Sequence, residues 1–224
     1  MMLFLVLGAV SAVLEWLAVA ARRRRWEYAA KPAALAFLIA WFLSALPRPW
    51  PAQGLVFAIA LLLSLVGDIL LILPGNRFVQ GLGAFLLAHI AYIVGFNWEG
   101  PVWSVSGASL AVVLAVIAIL LLRQLRAALR EKGRGRLVPA VAVYAVLLAV
   151  MLWSTLMISQ NPGWSGLPAA LVAIGGALFY LSDVGIAWNL FVRPLPGDRL
   201  LTMVAYHLAQ FALAYGAALR LSLD

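Results

Sequence analysis

Eight apolar stretches, at about 2–21, 32–46, 53–73, 78–97, 103–122, 138–158, 167–190 and 199–221, occupy most of this 224-residue chain. A helix that crosses a bilayer needs about 20 such residues, so little chain remains for any soluble domain. The fold class that follows is an all-α integral membrane protein: eight transmembrane helices in a single bundle whose core is its helix–helix contacts. Composition agrees, with 66% hydrophobic and 11% charged residues against about 45–50% and about 25% in soluble domains. Breakers part the stretches, among them Pro47-Arg48-Pro49-Trp50-Pro51, Pro74-Gly75-Asn76, Asn161-Pro162-Gly163 and Pro194-Leu195-Pro196-Gly197. The second stretch is the shortest and the least sharply bounded.

A net charge of +8 would suggest nucleic acid in a soluble chain, but a membrane protein gathers Lys and Arg in its cytoplasmic loops. Of the sixteen basic residues, fourteen fall in connections 1–2, 3–4, 5–6 and 7–8: Arg22 to Arg25, Lys31, Arg77, Arg123, Arg126, Arg130, Lys132, Arg134, Arg136, Arg193 and Arg199. Only Arg48 and Arg220 lie on the other side. This alternation predicts both termini on the non-cytoplasmic face of a cell membrane, in a bacterium the inner membrane. It assigns the charges of Arg123 to Arg136 to orientation, as a helical extension of span five, and leaves no role for a nucleic-acid partner. Trp50, Trp98, Trp103 and Trp164 are expected at the outer boundary as interfacial aromatics. Met1 to Ala20 lacks the basic start of a signal peptide and is interrupted by Glu15. With no cysteine, disulfides and thiolate metal sites are excluded.

Against this background the polar residues inside spans are the informative ones. A carboxylate at mid-span costs roughly 2.5–3.5 kcal/mol on insertion scales and tends to face a protein interior. Asp68 lies in Leu65-Val66-Gly67-Asp68 of span three and Asp183 in Phe179-Tyr180-Leu181-Ser182-Asp183 of span seven. Both spans run the same way, which puts the two carboxylates roughly 8–10 Å below the inner surface at about 1.5 Å per residue. His89 and His207 return on spans four and eight, roughly 12–17 Å deep by the same rise, and Glu15 of span one belongs to the same half. The Asp-to-His separations, 21 and 24 residues, are each bridged by a Pro-Gly turn. They suggest two parallel four-helix repeats, 1–122 and 138–224, with a site at their interface. Tyr92, Tyr180, Tyr206, Asn189 and Gln210 are expected to support the two aspartates. Each residue also has a plainer role open to it: an Asp or His can simply hydrogen-bond across helices, and Glu15 can pair with an arginine such as Arg25. No HxxxH or ExxH spacing supports a metal, and no cofactor is indicated.

Two segments resemble the signatures of the YhhN-like family. Ser64-Leu65-Val66-Gly67-Asp68, with Phe78, Gly81, Ala84-Phe85 and His89-Ile90-Ala91-Tyr92, is similar to the first. Gly176 to Asp183, with Asn189, Phe191, Tyr206 and Ala209-Gln210, is similar to the second. The family is multi-span and includes the animal lysoplasmalogenases. The resemblance implies a membrane-embedded hydrolase that cleaves the vinyl-ether bond of a lysophospholipid, a lysoplasmalogen, to a fatty aldehyde and a glycerophospho-alcohol. It also implies that the work falls on two aspartates, here Asp68 and Asp183.

The residues suit that chemistry. Vinyl ethers hydrolyse by protonation of the β-carbon, giving an oxocarbenium ion that water traps. Two close carboxyls in an apolar site resist double ionisation, so one can keep a proton while the other stays charged. His89, Tyr180, Tyr206 and Gln210 would position water and substrate, and Lys31, Arg77, Arg193 or Arg199 could meet the lipid phosphate. Three rivals stand beside this: a small transporter or proton-coupled carrier, since buried carboxylates and repeats also mark transporters; an intramembrane aspartyl protease, which would need G-x-G-D where this chain has Leu65; and a non-catalytic scaffold for membrane lipids or proteins.

Overall fold

The computed structural model describes residues 1–75, 77–161, 163–194 and 197–223. The turns expected at Asn76, Pro162 and Leu195-Pro196 lie in part outside these. The described residues form eight long helices: α1 Met2–Ala20, α2 Arg24–Ala45, α3 Ala52–Ile72, α4 Phe78–Phe96, α5 Val105–Glu131, α6 Val138–Met157, α7 Gly166–Phe191 and α8 Asp198–Leu221. All eight are long and apolar enough to cross a membrane. Helix ends follow local chemistry. Ser104 caps α5 by accepting from Gly107 N–H at 3.0 Å, and Gly133 stops the same helix at φ 68°, a conformation that glycine adopts without a Cβ penalty.

Consecutive helices pair closely as α1–α2, α3–α4 and α7–α8, and α8 also touches α1, α2 and α3. α8 is therefore the inner post of the bundle. An aromatic column fills the centre. Phe57 meets Phe96, Tyr92 stacks on Phe96 and meets Phe179, and Phe179 meets Tyr206 at 5.6 Å between centroids. Without a hydrophobic driving force between helices in lipid, close approach depends on small residues. Gly67 lies against the Phe85 ring and Gly176 against Thr155.

One boundary and one residue differ from expectation. α2 begins at Arg24, not near residue 32, so Lys31 is part of a helix and not of a loop. Two of the charges that lower the apparent hydropathy of this segment, Glu27 and Lys31, are buried and paired with Arg199 and Asp68. Trp164 is 3% exposed and packs on Phe96 at 5.9 Å, whereas Trp50, Trp98 and Trp103 are exposed. Trp164 is thus a core residue. The extension of span five is helical as expected, reaching Glu131.

Candidate functional site

Asp68 sits one turn before the end of α3, next to Gly67, whose missing Cβ lets the Phe85 ring close over the helix. The aspartate is 1% exposed. Its Oδ1 forms an ion pair with Lys31 Nζ of α2 at 3.0 Å, and its Oδ2 accepts from the Tyr206 hydroxyl of α8 at 2.8 Å. Behind Tyr206 the polar chain continues. Gln210 Nε2 donates to the Tyr206 oxygen at 3.2 Å, and Tyr92 O–H of α4 donates to Gln210 Oε1 at 2.6 Å. Lys31 therefore neutralises a buried carboxylate, a tighter role than the phosphate ligand anticipated for it. A buried charge persists only when so partnered.

Asp183 is held differently. It is on α7, which Ser182 ties to α8 by donating to the Thr202 carbonyl at 3.0 Å. Asp183 Oδ2 accepts from the Tyr144 hydroxyl of α6 in a short hydrogen bond and stands 3.6 Å from His89 Nε2 of α4. The other ring nitrogen, His89 Nδ1, is 2.6 Å from the Phe85 carbonyl oxygen. The His89 ring packs edge-on against Tyr144 and Phe179. Phe179 in turn touches Tyr206, so one aromatic cluster joins the surroundings of both aspartates. Tyr180 is buried and shares a small pocket with Asp183 and Tyr144.

The remaining sequence candidates gather nearby or apart. His207 Nδ1 accepts from Trp16 Nε1 at 3.0 Å and lies 3.3 Å from Glu15 Oε2. Glu15 thus neighbours a histidine and not Arg25. Glu27, 1% exposed, pairs with Arg199 across α2 and α8. Together with Arg24, Arg77, Lys31 and Asn189, Glu15 and this pair line a polar cavity of about 550 Å³. Arg193 is not on its wall. Two small apolar pockets of about 60 and 50 Å³ both include Asp183 and Tyr144. The first of these shares Leu71, Phe78, Ile186 and Leu190 with the polar cavity. Among the described residues no three His, Cys, Asp or Glu side chains gather as a metal site.

Tyr144, Trp16 and Glu27 were not singled out from sequence. Tyr144 had one weak signal, as a tyrosine among the Val, Leu and Ala residues of span six. Only the rotation of α6 about its axis decides that it meets Asp183.

Residues 26–217 match the sequence profile of the YhhN family. The chain belongs to the YhhN family. The YhhN match begins in the first turn of α2 and ends in the last two turns of α8. It takes in every partner of Asp68 and Asp183 and leaves out Glu15 and Trp16. The lysoplasmalogenase TMEM86B of Sus scrofa is 38% identical over 153 residues, 67% of this chain and 58% of that protein. The lysoplasmalogenase TMEM86B of Homo sapiens is 35% identical over 158 residues, 70% of this chain and 61% of that protein. A lysoplasmalogenase of Mycobacterium bovis is 34% identical over 137 residues, 59% of this chain and 49% of that protein. The matched part thus spans about half to three-fifths of these relatives' lengths. No solved structure matches the chain.

Proposed function

We propose that this protein hydrolyses the vinyl-ether bond of a lysoplasmalogen, releasing a fatty aldehyde and a glycerophospho-alcohol, with Asp68 and Asp183 as an acid–base pair. The observation that carries this reading is the adjacency of two unlike compartments. A polar cavity rimmed by Arg24 and Arg77 shares a wall with an apolar pocket that contains Asp183. A lysolipid is built the same way, with an anionic head and one hydrocarbon chain. Its phosphate would meet the arginines, which bind such groups through paired N–H donors, and its ether bond would fall where the compartments meet. The names of the relatives support the choice of substrate. The reaction itself asks for one carboxyl with a proton to give and one carboxylate to receive a proton from water.

Mass spectrometry of the purified protein incubated with vinyl-ether, saturated-ether and acyl lysolipids tests the proposal. Aldehyde is expected from the vinyl ether alone. Asp68→Asn and Asp183→Asn should each slow its release by about 10²–10⁴-fold, the usual contribution of a positioned acid or base. No aldehyde from any substrate, or full activity in either folded variant, would sink the reading.

A further inference from the structure

Each aspartate accepts from one tyrosine, Asp68 from Tyr206 and Asp183 from Tyr144, and the two differ in the second partner. On the Asp68 side the Tyr206 hydrogen and the Lys31 charge both stand toward the carboxylate. Tyr92 donates to Gln210 Oε1, so Gln210 presents its amide N–H to Tyr206. Tyr206 then has its own hydrogen directed at Asp68 Oδ2, while the Lys31 ammonium stands at Oδ1. An ionised carboxylate accepts only, and that is the form these partners fit. A proton on either oxygen of Asp68 would face a hydroxyl hydrogen or an ammonium group.

On the Asp183 side a hydrogen is missing. The Phe85 carbonyl can only accept, so His89 Nδ1 carries the ring hydrogen at their 2.6 Å contact. In the neutral ring Nε2 then bears a lone pair. That lone pair faces Asp183 Oδ2 at 3.6 Å, and His89 Nε2 is buried with no hydrogen-bond partner. No lysine or arginine among the described residues forms an ion pair with Asp183. Two acceptors facing one another in an apolar surround are relieved by a proton held between them. Asp183, 8% exposed, also lines both apolar pockets.

We infer that the two aspartates divide the reaction: Asp183 carries the proton delivered to the alkenyl β-carbon, and Asp68 rests between turnovers as an ionised carboxylate clamped by Lys31 and Tyr206. What the proton does rests on the vinyl-ether reading; where it sits does not. The steps balance. Asp183 gives its proton to the β-carbon, the C=C π pair forms the new C–H bond, and positive charge falls on the ether carbon and oxygen. Water adds to that carbon and loses a proton to Asp68. The hemiacetal hydroxyl then returns a proton to Asp183 as its C–O bond breaks, and Asp68 protonates the departing glycerol oxygen. Both carboxyls end as they began. Tyr144 and His89 are the positioning residues of the acid, and Lys31 that of the base.

Infrared spectroscopy of detergent-solubilised protein grown with carbon-13-labelled aspartate reads the proton directly, because a protonated carboxyl has a C=O stretch that a carboxylate lacks. Labelled-minus-unlabelled spectra should show one protonated-aspartate band. It should vanish in Asp183→Asn and persist in Asp68→Asn. Tyr144→Phe, the milder variant should Asp183→Asn not fold, should move it to higher frequency, and Lys31→Met should add a second band. No aspartate band in the unaltered protein, a band that survives Asp183→Asn, or one lost in Asp68→Asn would overturn the assignment. Were the bands as expected but no aldehyde formed, the vinyl-ether reading would fall and the proton assignment would stand.

Discussion

Gly67 and Gly176 show how closely the helices around the two aspartates are drawn together. A Cβ built on Gly176 would lie 1.9 Å from Thr155 Oγ1, and one on Gly67 2.6 Å from Phe85 ring carbons. Thr155 is buried and its Oγ1 donates to the Leu152 carbonyl, so it has little room to yield. Gly176→Ala should therefore destabilise the protein by about 1–3 kcal/mol, as overpacking does, seen as a lower melting temperature in detergent. Gly83→Ala, where a Cβ meets nothing within 4 Å, should be neutral or gain up to about 1 kcal/mol from helix propensity. Equal losses in both would contradict the packing argument. The aspartates were legible in the sequence because a charge inside a span has few harmless explanations. Their partners were less so. Gln210 and Tyr206 could be suspected beside a histidine, but Tyr144 and Trp16 belong to a residue type that also packs or anchors spans without further role. Their partners depend on helix rotation, which no spacing within one helix reports.

At the level of elements, α2 is where sequence and structure part most. Arg24, Arg25, Glu27 and Lys31 make its first two turns look like a loop. In the bundle Glu27 pairs with Arg199 of α8 and Lys31 with Asp68 of α3. Hydropathy counts each charge singly, whereas the bundle buries Glu27 and Lys31 each beside an opposite charge and leaves Arg24 and Arg25 exposed. The Glu27–Arg199 pair holds the start of α2 against the start of α8, at the rim of the polar cavity. Arg199→Met leaves a 1%-exposed carboxylate without that guanidinium and should cost about 1–3 kcal/mol. Adding Glu27→Gln should recover part of the loss, so the double variant should melt above the sum of the two single effects. Strict additivity would mean that the pair does not couple α2 to α8.

Across the whole molecule the partners of the aspartates follow one rule. Asp68 of α3 takes partners from α2 and α8, and Asp183 of α7 takes them from α6 and α4. Exchanging the first four helices with the last four maps one set onto the other, which supports the proposed parallel repeats, and the Tyr92–Gln210 bond links the fourth helix of each. The order of spans came from sequence alone; the cross-wiring could not, because it joins residues up to 138 positions apart. The charge alternation predicts a sidedness that the absence of cysteine makes easy to read. Leu223→Cys should react with an impermeant maleimide in intact cells, and Glu131→Cys only after the membrane is opened; the reverse pattern would invert the proposed orientation. The two compartments have a further meaning for the proposed reaction. Cleavage turns one amphiphile into an oil and a water-soluble phosphodiester. The apolar pocket is lined mainly by hydrocarbon side chains, and the polar cavity by Arg24, Arg77, Glu27 and Arg199 among others. Each product would leave through surroundings that the other avoids, so the fragments separate at the moment they form and recombination finds no shared place to occur.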